Sequence, residues 1–422
     1  MNRSKKSILI IGGGVIGLFT AYYAMRRGHK VTVLERGGPT HDSCSLGNAG
    51  MIVPSHFVPL AAPGMVALGL KMLPNPEGPF AIRPSLDPGL ADWCLKFARA
   101  CNKEHVERSG PLLRDLNLAS RRCYEALSAL PGQDFGLTKR GLIMLCRLPE
   151  TLREERHLAE NACRLGLRAE VLGPEQVAKL DPGIRMDVAG GVYFPEDCHL
   201  NPNRLMAGIT HELTSNGVAF QWNTEVTGVA ARGRLIEQVS TSAGALVADE
   251  VVIAGGAWSG RLAKSIGLHL PMQAGKGYSI SLETPRRLPE LCSILVEARV
   301  AVTPMGAALR FAGTMEVTGL DLSVNQRRVN GIIRSVPRYF PEFTPEDFLG
   351  QKVWSGLRPC SPDGLPYVGR FRRFDNLSVA AGHAMMGVSL APITGKLVAE
   401  MLSGEAPSIG IDLLNPDRYA AD

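Results

Sequence analysis

The sequence predicts an α/β protein in which a doubly wound domain with a parallel sheet is interleaved with an α+β domain built on an antiparallel sheet. The chain of 422 residues is long enough for two domains. Short apolar strands followed by glycines occur at Ser7–Ile11, Glu250–Ser259 and Asn376–Gly387, near both ends and in the middle. Between them, Gly275–Leu282 and Ala308–Gly313 alternate as strands of a half-buried antiparallel sheet do.

The first forty residues contain the most informative unit. Ser7–Ile11 is a continuous apolar run, which is typical of a strand buried on both faces of a parallel sheet. Gly12–Gly17 then fits the pattern G-x-G-x-x-G, Val15–Arg27 has the character of a helix, and Lys30–Leu34 is a second strand that runs into Glu35. A strand, a glycine turn, a helix, a strand and an acid in this order predict a dinucleotide-binding unit of the Rossmann type.

Each part of this unit has a physical role. Gly12 permits the tight turn, Gly14 lets a pyrophosphate approach the backbone, and Gly17 lets the helix pack closely on the sheet. The free N–H groups at the start of the helix hold the phosphate charge. Glu35 can accept hydrogen bonds from both ribose hydroxyls and disfavours NADP by repelling its 2′-phosphate. The motif alone does not separate NAD from FAD, but its place at the N-terminus favours FAD.

The remaining segments fill out both domains. The spacing of apolar residues predicts helices at Leu90–Cys101, Leu112–Leu130, Leu152–Leu165, Asn203–Asn216 and Leu390–Leu402. Gly190–Pro202 is predicted to be a strand followed by a polar turn. Further strands are predicted at Val218–Thr224, Glu225–Ala231, Leu235–Thr241 and Leu246–Val247, of which the last three form a meander. Gly64–Leu73 is apolar and has two interpretations, a core-packing helix and a lid or membrane-touching element.

This alternation indicates two discontinuous domains. The nucleotide-binding domain is predicted to comprise residues 1–55, 150–265 and 355–422, and a substrate-binding domain to comprise residues 56–149 and 266–354. The net charge of +6 is small for this length and no long basic run occurs, so nucleic acid is not an expected partner. A mild attraction to an acidic membrane surface remains open.

The cysteines and the N-terminus indicate the compartment. The nine cysteines are scattered and form no C-x-x-C pair, which favours free thiols in a reducing compartment over disulfides or a metal site. Met1–Lys6 is basic and precedes an apolar run, but the glycines that follow end that run, so no signal peptide is expected. No spanning helix is expected either. These features predict a cytoplasmic protein, with the inner face of the cytoplasmic membrane as the alternative.

Several further segments, taken together, resemble one family of flavoproteins. They are Ile11–Gly17 with Glu35, Ser45–Gly50, Gly191–Pro202, Val251–Ser259, Gly277–Ser279, Arg310–Thr314, Trp354–Gly369 and Ala381–Gly395. In this order the chain resembles the D-amino-acid dehydrogenases of the glycine oxidase/D-amino-acid oxidase family. The resemblance implies a domain of the glutathione-reductase type that binds FAD noncovalently. It also implies oxidation of an amino acid at its α-carbon to an imino acid, which water hydrolyses when the imine is acyclic.

The resemblance also assigns residues to the substrate. Arg358 matches the position that binds the substrate carboxylate, and its planar guanidinium suits a bidentate carboxylate contact. Arg310 is the second candidate for this role, and Tyr278 could add a hydroxyl hydrogen bond or could be a core residue. His56 is a candidate to line the substrate cavity. His383 is the candidate catalytic histidine, although hydride transfer from a neutral amine leaves a base little to do, and a structural role is favoured.

A larger set of residues is implied to hold FAD. At its flavin end, the start of the helix near Gly387 is expected to stabilise negative charge on the reduced ring. The cofactor-binding residues implied are Gly12, Gly14, Val15, Ile16, Gly17, Glu35, Arg36, Ser45, Asn48, Ala49, Gly50, Val226, Gly256, Gly387, Val388 and Ser389.

The final electron acceptor and the substrate stay open at this stage. The overall resemblance favours a dehydrogenase that passes electrons to a quinone or another carrier, and an oxygen-using amino-acid oxidase is the alternative. A flavin subunit of a heteromeric electron-transfer complex and an NAD-dependent dehydrogenase are the remaining hypotheses. D-Proline and a hydroxy-D-proline are candidate substrates beside acyclic D-amino acids.

Overall fold

The structure is a computed structural model that describes residues 5–41, 43–83 and 85–420. Met1–Ser4, part of the basic N-terminal segment, and the last two residues of the predicted nucleotide-binding domain lie outside these ranges.

The helices and strands carry labels in chain order. The α-helices are α1 (Val15–Arg26), α2 (Met65–Met72), α3 (Pro88–Ala100), α4 (Lys103–Ser128), α5 (Pro149–Arg164), α6 (Pro174–Leu180), α7 (Pro202–Ser215), α8 (Ser259–Ser265), α9 (Gln326–Tyr339) and α10 (Gly387–Leu402). The strands are β1 (Ser7–Ile11), β2 (Lys30–Leu34), β3 (Met51–Ile52), β4 (Phe80–Ile82), β5 (Leu142–Cys146), β6 (Glu170–Leu172), β7 (Gly190–Phe194), β8 (Cys198–His199), β9 (Ala219–Gln221), β10 (Val226–Arg232), β11 (Leu235–Thr241), β12 (Gly244–Leu246), β13 (Glu250–Ile253), β14 (Gln273–Leu282), β15 (Cys292–Leu295), β16 (Val300–Met305), β17 (Ala308–Val317), β18 (Val353–Cys360), β19 (Tyr367–Arg370) and β20 (Leu377–Ala381).

The first sheet forms the centre of the nucleotide-binding domain. Its strand order is β19-β20-β13-β1-β2-β9, with β1 parallel to both β2 and β13. Ile10 lies opposite Val33 on one side and Val252 on the other, and all three side chains are buried. Helices α1 and α10 pack against each other so closely that a Cβ on Gly395 would lie 2.4 Å from the backbone of Phe19.

The second sheet is larger and mixed. Its order is β18-β14-β17-β16-β15-β5-β7-β6, and β4 adds to β17. The strands from β14 to β18 pair antiparallel, as the alternation predicts. Phe311 of β17 packs edge-on against Phe343 and Phe348, which lie after α9. The predicted interleaved architecture, with a parallel and a largely antiparallel sheet, is confirmed.

The sheets divide the chain differently from the predicted domain ranges. Strand β7 pairs with β5, and β6 pairs with β7, in the second sheet, although the predicted nucleotide-binding domain begins again at residue 150. The run Gly190–Phe194 is apolar because both of its faces are covered, and a buried antiparallel strand has the same pattern as a parallel one. Conversely, α4 packs on α10, and its Leu113 and Leu116 belong to the core of the nucleotide-binding domain, although residues 56–149 are predicted to belong to the other domain.

Two helices differ from their predictions. Helix α4 begins at Lys103 and runs through Pro111, where the sequence predicts a helix only from Leu112. Helix α2 has no buried residue, so the interpretation of Gly64–Leu73 as a core-packing helix is wrong. Within the described residues, the stretch Ala384–Leu402 is long and apolar enough to cross a membrane, but 72% of it is buried inside the nucleotide-binding domain, where α10 packs.

Candidate functional site

A cavity of about 1340 Å³ lies between the two sheets. Its walls come from the β1–α1 turn, the loop after β2, the ends of β13 and β20, and the inner surface of the second sheet. Helix α2 and strand β4 form another part of its wall. This volume exceeds that of an ordinary small-molecule pocket and suits a dinucleotide together with a small substrate.

The β1–α1 turn forms one end of the cavity. Gly12 has a φ of +119°, and a Cβ there would lie 2.4 Å from the carbonyl oxygen of Ala254, so only glycine fits. A Cβ on Gly17 would lie 1.9 Å from the Gly12 carbonyl oxygen, as expected of a helix packed onto its own turn. The Val15 N–H at the start of α1 donates to Ser45 Oγ at 3.1 Å. This end of the helix therefore presents donors of the kind that bind a pyrophosphate.

Glu35 lies where the sequence predicts it, at the end of β2 and in the cavity wall. Its carboxylate accepts hydrogen bonds from the Gly13 and Gly37 backbone N–H groups, each at 2.8 Å. The guanidinium of Arg36 stacks over the ring of Trp258 at 3.6 Å, and both residues line the cavity. The carboxylate is thus held rigidly beside the glycine turn, in the position that contacts a ribose in dinucleotide-binding folds.

The residues implied for FAD fall into two groups. Those that line the cavity are Gly12, Gly14, Val15, Ile16, Glu35, Arg36, Ser45, Asn48, Ala49, Val226, Gly256, Gly387 and Val388. Gly17, Gly50 and Ser389 lie behind the wall. Gly50 has a φ of +72°, and a Cβ on it would lie 2.1 Å from the Leu200 carbonyl oxygen. Ser389 Oγ donates a hydrogen bond to Asn117 Oδ1 at 2.6 Å. These three residues support the wall from behind and do not line the cavity.

The N-terminus of α10 is held in place by hydrogen bonds from α4. Tyr124 donates its hydroxyl to the Val388 carbonyl oxygen at 2.6 Å, and Ser120 donates to that of Ser389 at 2.5 Å. Gly387 and Val388 line the cavity, and a Cβ on Gly387 would meet nothing within 4 Å. The open space beside this helix end fits a group that must approach the backbone closely.

Arg310 does not line the cavity. A residue that binds the substrate carboxylate would have to line it, so the structure does not support Arg310 in this role. Its Nη1 donates to the carbonyl oxygens of Leu46 and Asn48 at 2.8 Å each, and its Nε donates to Ser281 Oγ at 3.1 Å. Burial lowers the pKa of Arg310 to about 10. Its donors are thus engaged in fastening the loop Ser45–Gly50 to the second sheet.

Tyr278 lines the cavity, but its hydroxyl is engaged within the protein. Its hydroxyl donates to Glu316 and accepts from the Asn325 backbone N–H at 3.1 Å. Burial, aided by the Glu316 hydrogen bond, raises the pKa of this hydroxyl. The predicted hydrogen bond from Tyr278 to a carboxylate is therefore not available in this arrangement, and Tyr278 belongs to the buried network below the sheet.

Arg358 does lie in the cavity wall. From β18 its side chain crosses β14 above Gly277, where a Cβ would lie 2.2 Å from Nη1 and from Nη2. Its Nη1 donates to the Thr314 carbonyl oxygen on β17 at 2.6 Å. Among the described residues no acceptor bonds its Nε or Nη2. A guanidinium oriented by one backbone contact, with donors left over in a cavity, can bind a carboxylate bidentately.

His56 lines the same cavity and is the end of a chain of three side chains. Its Nδ1 lies 3.0 Å from Ser55 Oγ, which donates to Asp197 Oδ2 at 2.5 Å. Burial lowers the pKa of His56 to about 4, so its imidazole is neutral near pH 7. Burial also raises the pKa of Asp197 to about 7, against the lowering effect of the Ser55 hydrogen bonds. Within the described ranges, no hydrogen bond engages His56 Nε2.

His383 also lies in the cavity wall, at the end of β20. Its Nε2 lies 3.0 Å from Thr394 Oγ1 of α10, while its buried Nδ1 has no hydrogen-bond partner among the residues described. Burial lowers the pKa of this imidazole to about 3, so it is neutral. A neutral, fixed imidazole sets the polarity of the wall, in line with the structural role that the sequence favours.

Arg299 and Glu155 are among the charged residues of the cavity that sequence reasoning missed. Arg299 lies in the tight turn between β15 and β16, and Glu155 lies on α5. Neither segment contains a motif from the sequence analysis. No local pattern marks either residue. Asp197 was also missed, because 142 positions separate it from Ser55.

A glycine-rich β–α–β unit, an acid at the end of its second strand and a large cavity beside a second sheet define a dinucleotide-binding protein of two interleaved domains. The chain matches the family model described as FAD dependent oxidoreductase (DAO) over residues 7–401. It belongs to this family, and FAD is its cofactor.

Relatives and solved structures agree with this assignment. A D-amino acid dehydrogenase of Bradyrhizobium diazoefficiens is 32% identical over 98% of this chain and 99% of its own. A protein with the same name from Methylobacterium radiotolerans is 33% identical, covering 98% of this chain and 100% of its own. The glycine oxidase structure from Geobacillus kaustophilus has a TM-score of 0.79 at 24% identity, covering 99% and 100% of the two chains, and supports the fold alone. The resemblance predicted from the sequence is confirmed.

Proposed function

We propose that this enzyme oxidises a D-amino acid at its α-carbon to the corresponding imino acid and passes the electrons to a carrier other than oxygen. The names of the relatives along nearly the whole chain support a D-amino acid as the substrate. The observation that carries the proposal is the guanidinium of Arg358, held above Gly277 with unused donors inside the cavity. An α-amino acid presents the carboxylate that this group binds.

The cofactor is held by backbone at both ends. The start of α1, around Gly14 and Val15, would bind the pyrophosphate, and Glu35 would bind a ribose. The start of α10, around Gly387, would lie at the flavin end. Bound FAD supplies the acceptor for the hydride that leaves the substrate α-carbon.

The substrate is oriented by two groups of this chain. Arg358 binds its carboxylate, and His56 Nε2 accepts a hydrogen bond from its amino group. The chain from Asp197 through Ser55 orients the imidazole, since Nδ1 can donate to Ser55 Oγ only when Nε2 is the bare nitrogen. Fixing the carboxylate and the amine leaves the α-hydrogen in one direction, which is how positioning lowers the barrier. D-Proline and hydroxy-D-proline also carry a carboxylate, an amine and an α-hydrogen, so these cyclic substrates belong to the proposed class.

The exposed helix α2 supports a hydrophobic acceptor. Val66 and Leu70 are 41% and 63% exposed, yet both also line the cavity. An apolar surface that leads into a redox cavity suits a quinone in a membrane, and we propose that the protein works in the cytoplasm at the inner face of that membrane.

The test is anaerobic reduction of the purified yellow protein by a panel of D- and L-amino acids, and the bleaching of the flavin absorbance measures this reduction. We expect D-substrates to bleach the flavin, Arg358→Ala to abolish bleaching, and the surface variant Arg153→Ala to behave as the wild type, because Arg153 is 67% exposed on α5. Unchanged bleaching by Arg358→Ala would remove this arginine from the site. A flavin that stays oxidised with the whole panel would overturn the proposal.

A further inference from the structure

Arg299 presents a second guanidinium to the cavity. Among the described residues, the non-glycine positions with positive φ are Asn223, Arg299, Thr314 and Ala384, and the last three line the cavity. Arg299, with a φ of +52°, is a bulky residue in a conformation that costs energy, and such positions persist where the surroundings require them. The structure gives its side chain neither a hydrogen bond nor an ion pair within the described residues.

Glu155 faces the same space from α5. Its Oε2 is buried without a hydrogen-bond partner among the residues described, which is a costly state for a carboxylate. Burial raises the pKa of Glu155, while the charge of Arg299 acts in the opposite direction. The two groups therefore influence each other, but they do not approach within the 4 Å that would make an ion pair in the described part of the chain. Both residues line the cavity, as do the apolar residues Met144, Ile294 and Val296.

The backbone of Arg299 is adjacent to the residues that hold the proposed carboxylate clamp, Arg358. Val300 pairs with Gly313, and the Arg299 carbonyl oxygen lies 3.3 Å from the position that a Cβ on Gly313 would take. The next residue, Thr314, bonds the guanidinium of Arg358. Neighbouring strands are about 4.8 Å apart. One strand spacing thus separates the backbone of Arg299 from the residues that hold Arg358.

We propose that Arg299 and Glu155 form a subsite for a hydroxyl group on the substrate side chain. A guanidinium only donates hydrogen bonds and a carboxylate only accepts them, so a hydroxyl, which does both, satisfies the pair at once. An anionic side chain would meet Glu155 with like charge, and a cationic one would meet Arg299. The enzyme therefore selects hydroxylated D-amino acids. This inference rests on the proposed function and names its substrate class.

The experiment compares two matched substrate pairs, 4-hydroxy-D-proline with D-proline and D-serine with D-alanine. Each pair differs by one hydroxyl. The holoenzyme is assayed for kcat/KM with a soluble dye and for substrate Kd from anaerobic flavin reduction. We expect the hydroxylated member of at least one pair to be preferred by about 10-fold or more, since each hydrogen bond is to a charged group. Arg299→Met and Glu155→Gln should each bring this preference close to one.

Controls separate the subsite from general effects. Glu160→Gln and Arg153→Ala change charges on exposed positions of the same helix α5 and should keep the wild-type preference. Both subsite variants should retain the kcat/KM of the unhydroxylated substrates within about threefold of the wild type, which shows that they fold and bind FAD. Equal wild-type efficiency for both members of each pair, or variants that keep the preference, would overturn the subsite. Failure of all four substrates to bleach the flavin would overturn the proposed function itself.

Discussion

Replacing Gly277 by alanine tests the placement of Arg358 without removing its charge. The added Cβ would lie 2.2 Å from both terminal nitrogens of the guanidinium. An ordinary contact needs about 3.5 Å, so the guanidinium must move by more than about 1 Å. A displacement of that size costs about 100-fold in a positioned reaction, and one lost hydrogen bond to a charged group costs about 1.5–3 kcal/mol, which is about 10- to 150-fold. We therefore expect kcat/KM for D-amino acids to fall about 10- to 100-fold, mainly through KM.

The assay is dye reduction with the purified variant, with flavin content measured from its absorbance. FAD content should equal that of the wild type, because Gly277 lies on β14, away from the β1–α1 turn. Gly228→Ala is the matched control, since Gly228 also lies in a strand and its nearest neighbour would be 4.0 Å from a new Cβ. An unchanged KM in Gly277→Ala, with full flavin content, would refute the role given to Arg358.

Three other variants test separate parts of the structure. The pKa of the Asp197 carboxyl is about 7 in the folded protein and about 3.8 in the unfolded chain. The free energy of unfolding of the wild type should therefore fall as the pH rises from about 4 to about 7. Asp197→Asn should reduce this pH dependence in urea unfolding, and an unaltered pH dependence would contradict the buried, protonated carboxyl. Glu316→Gln removes the counter-charge of the buried Arg328, 3.4 Å away, and one of the two carboxylates near the buried Lys276, which keeps Asp321 at 3.2 Å. The variant should cost about 3–5 kcal/mol in urea unfolding, mainly through Arg328, and a loss below about 1 kcal/mol would argue against this network. Leu70→Glu should slow reduction of a quinone in vesicles and leave soluble-dye reduction unchanged, whereas equal slowing of both would remove α2 from the acceptor path.

Local patterns predicted the nucleotide end of the site well. Strands β1 and β2 begin and end at the predicted residues, and α1 ends one residue early. This accuracy has a physical cause, because the glycine turn, the buried strand and Glu35 interact within thirty residues and leave their requirements in one stretch of sequence. Arg358 was found through the family resemblance, and the structure places it in the cavity.

The substrate end depends on contacts between distant segments. Arg310 was a candidate clamp, but it binds carbonyl groups of a loop that lies 262 and 264 positions earlier. Asp197 and Ser55 meet across 142 positions. No periodicity or composition records such pairs, because each partner is an ordinary polar residue in its own segment. The predicted domain boundary at residue 150 differs from the sheet pairing for a similar reason, because the domain to which a strand belongs depends on the strands with which it pairs.

The strand order of the first sheet sets when the nucleotide site can be completed during synthesis. Strand β1, which emerges from the ribosome early, lies between β2 and β13, and β13 pairs with β20 near the other end of the chain. Helix α1 needs α10, which ends at Leu402, to cover it. A nascent chain must therefore carry an uncovered helix α1 and an unfinished glycine turn until α10 has been synthesised. Products truncated before α10 should bind no flavin, and incorporation of FAD should require that this helix has been made.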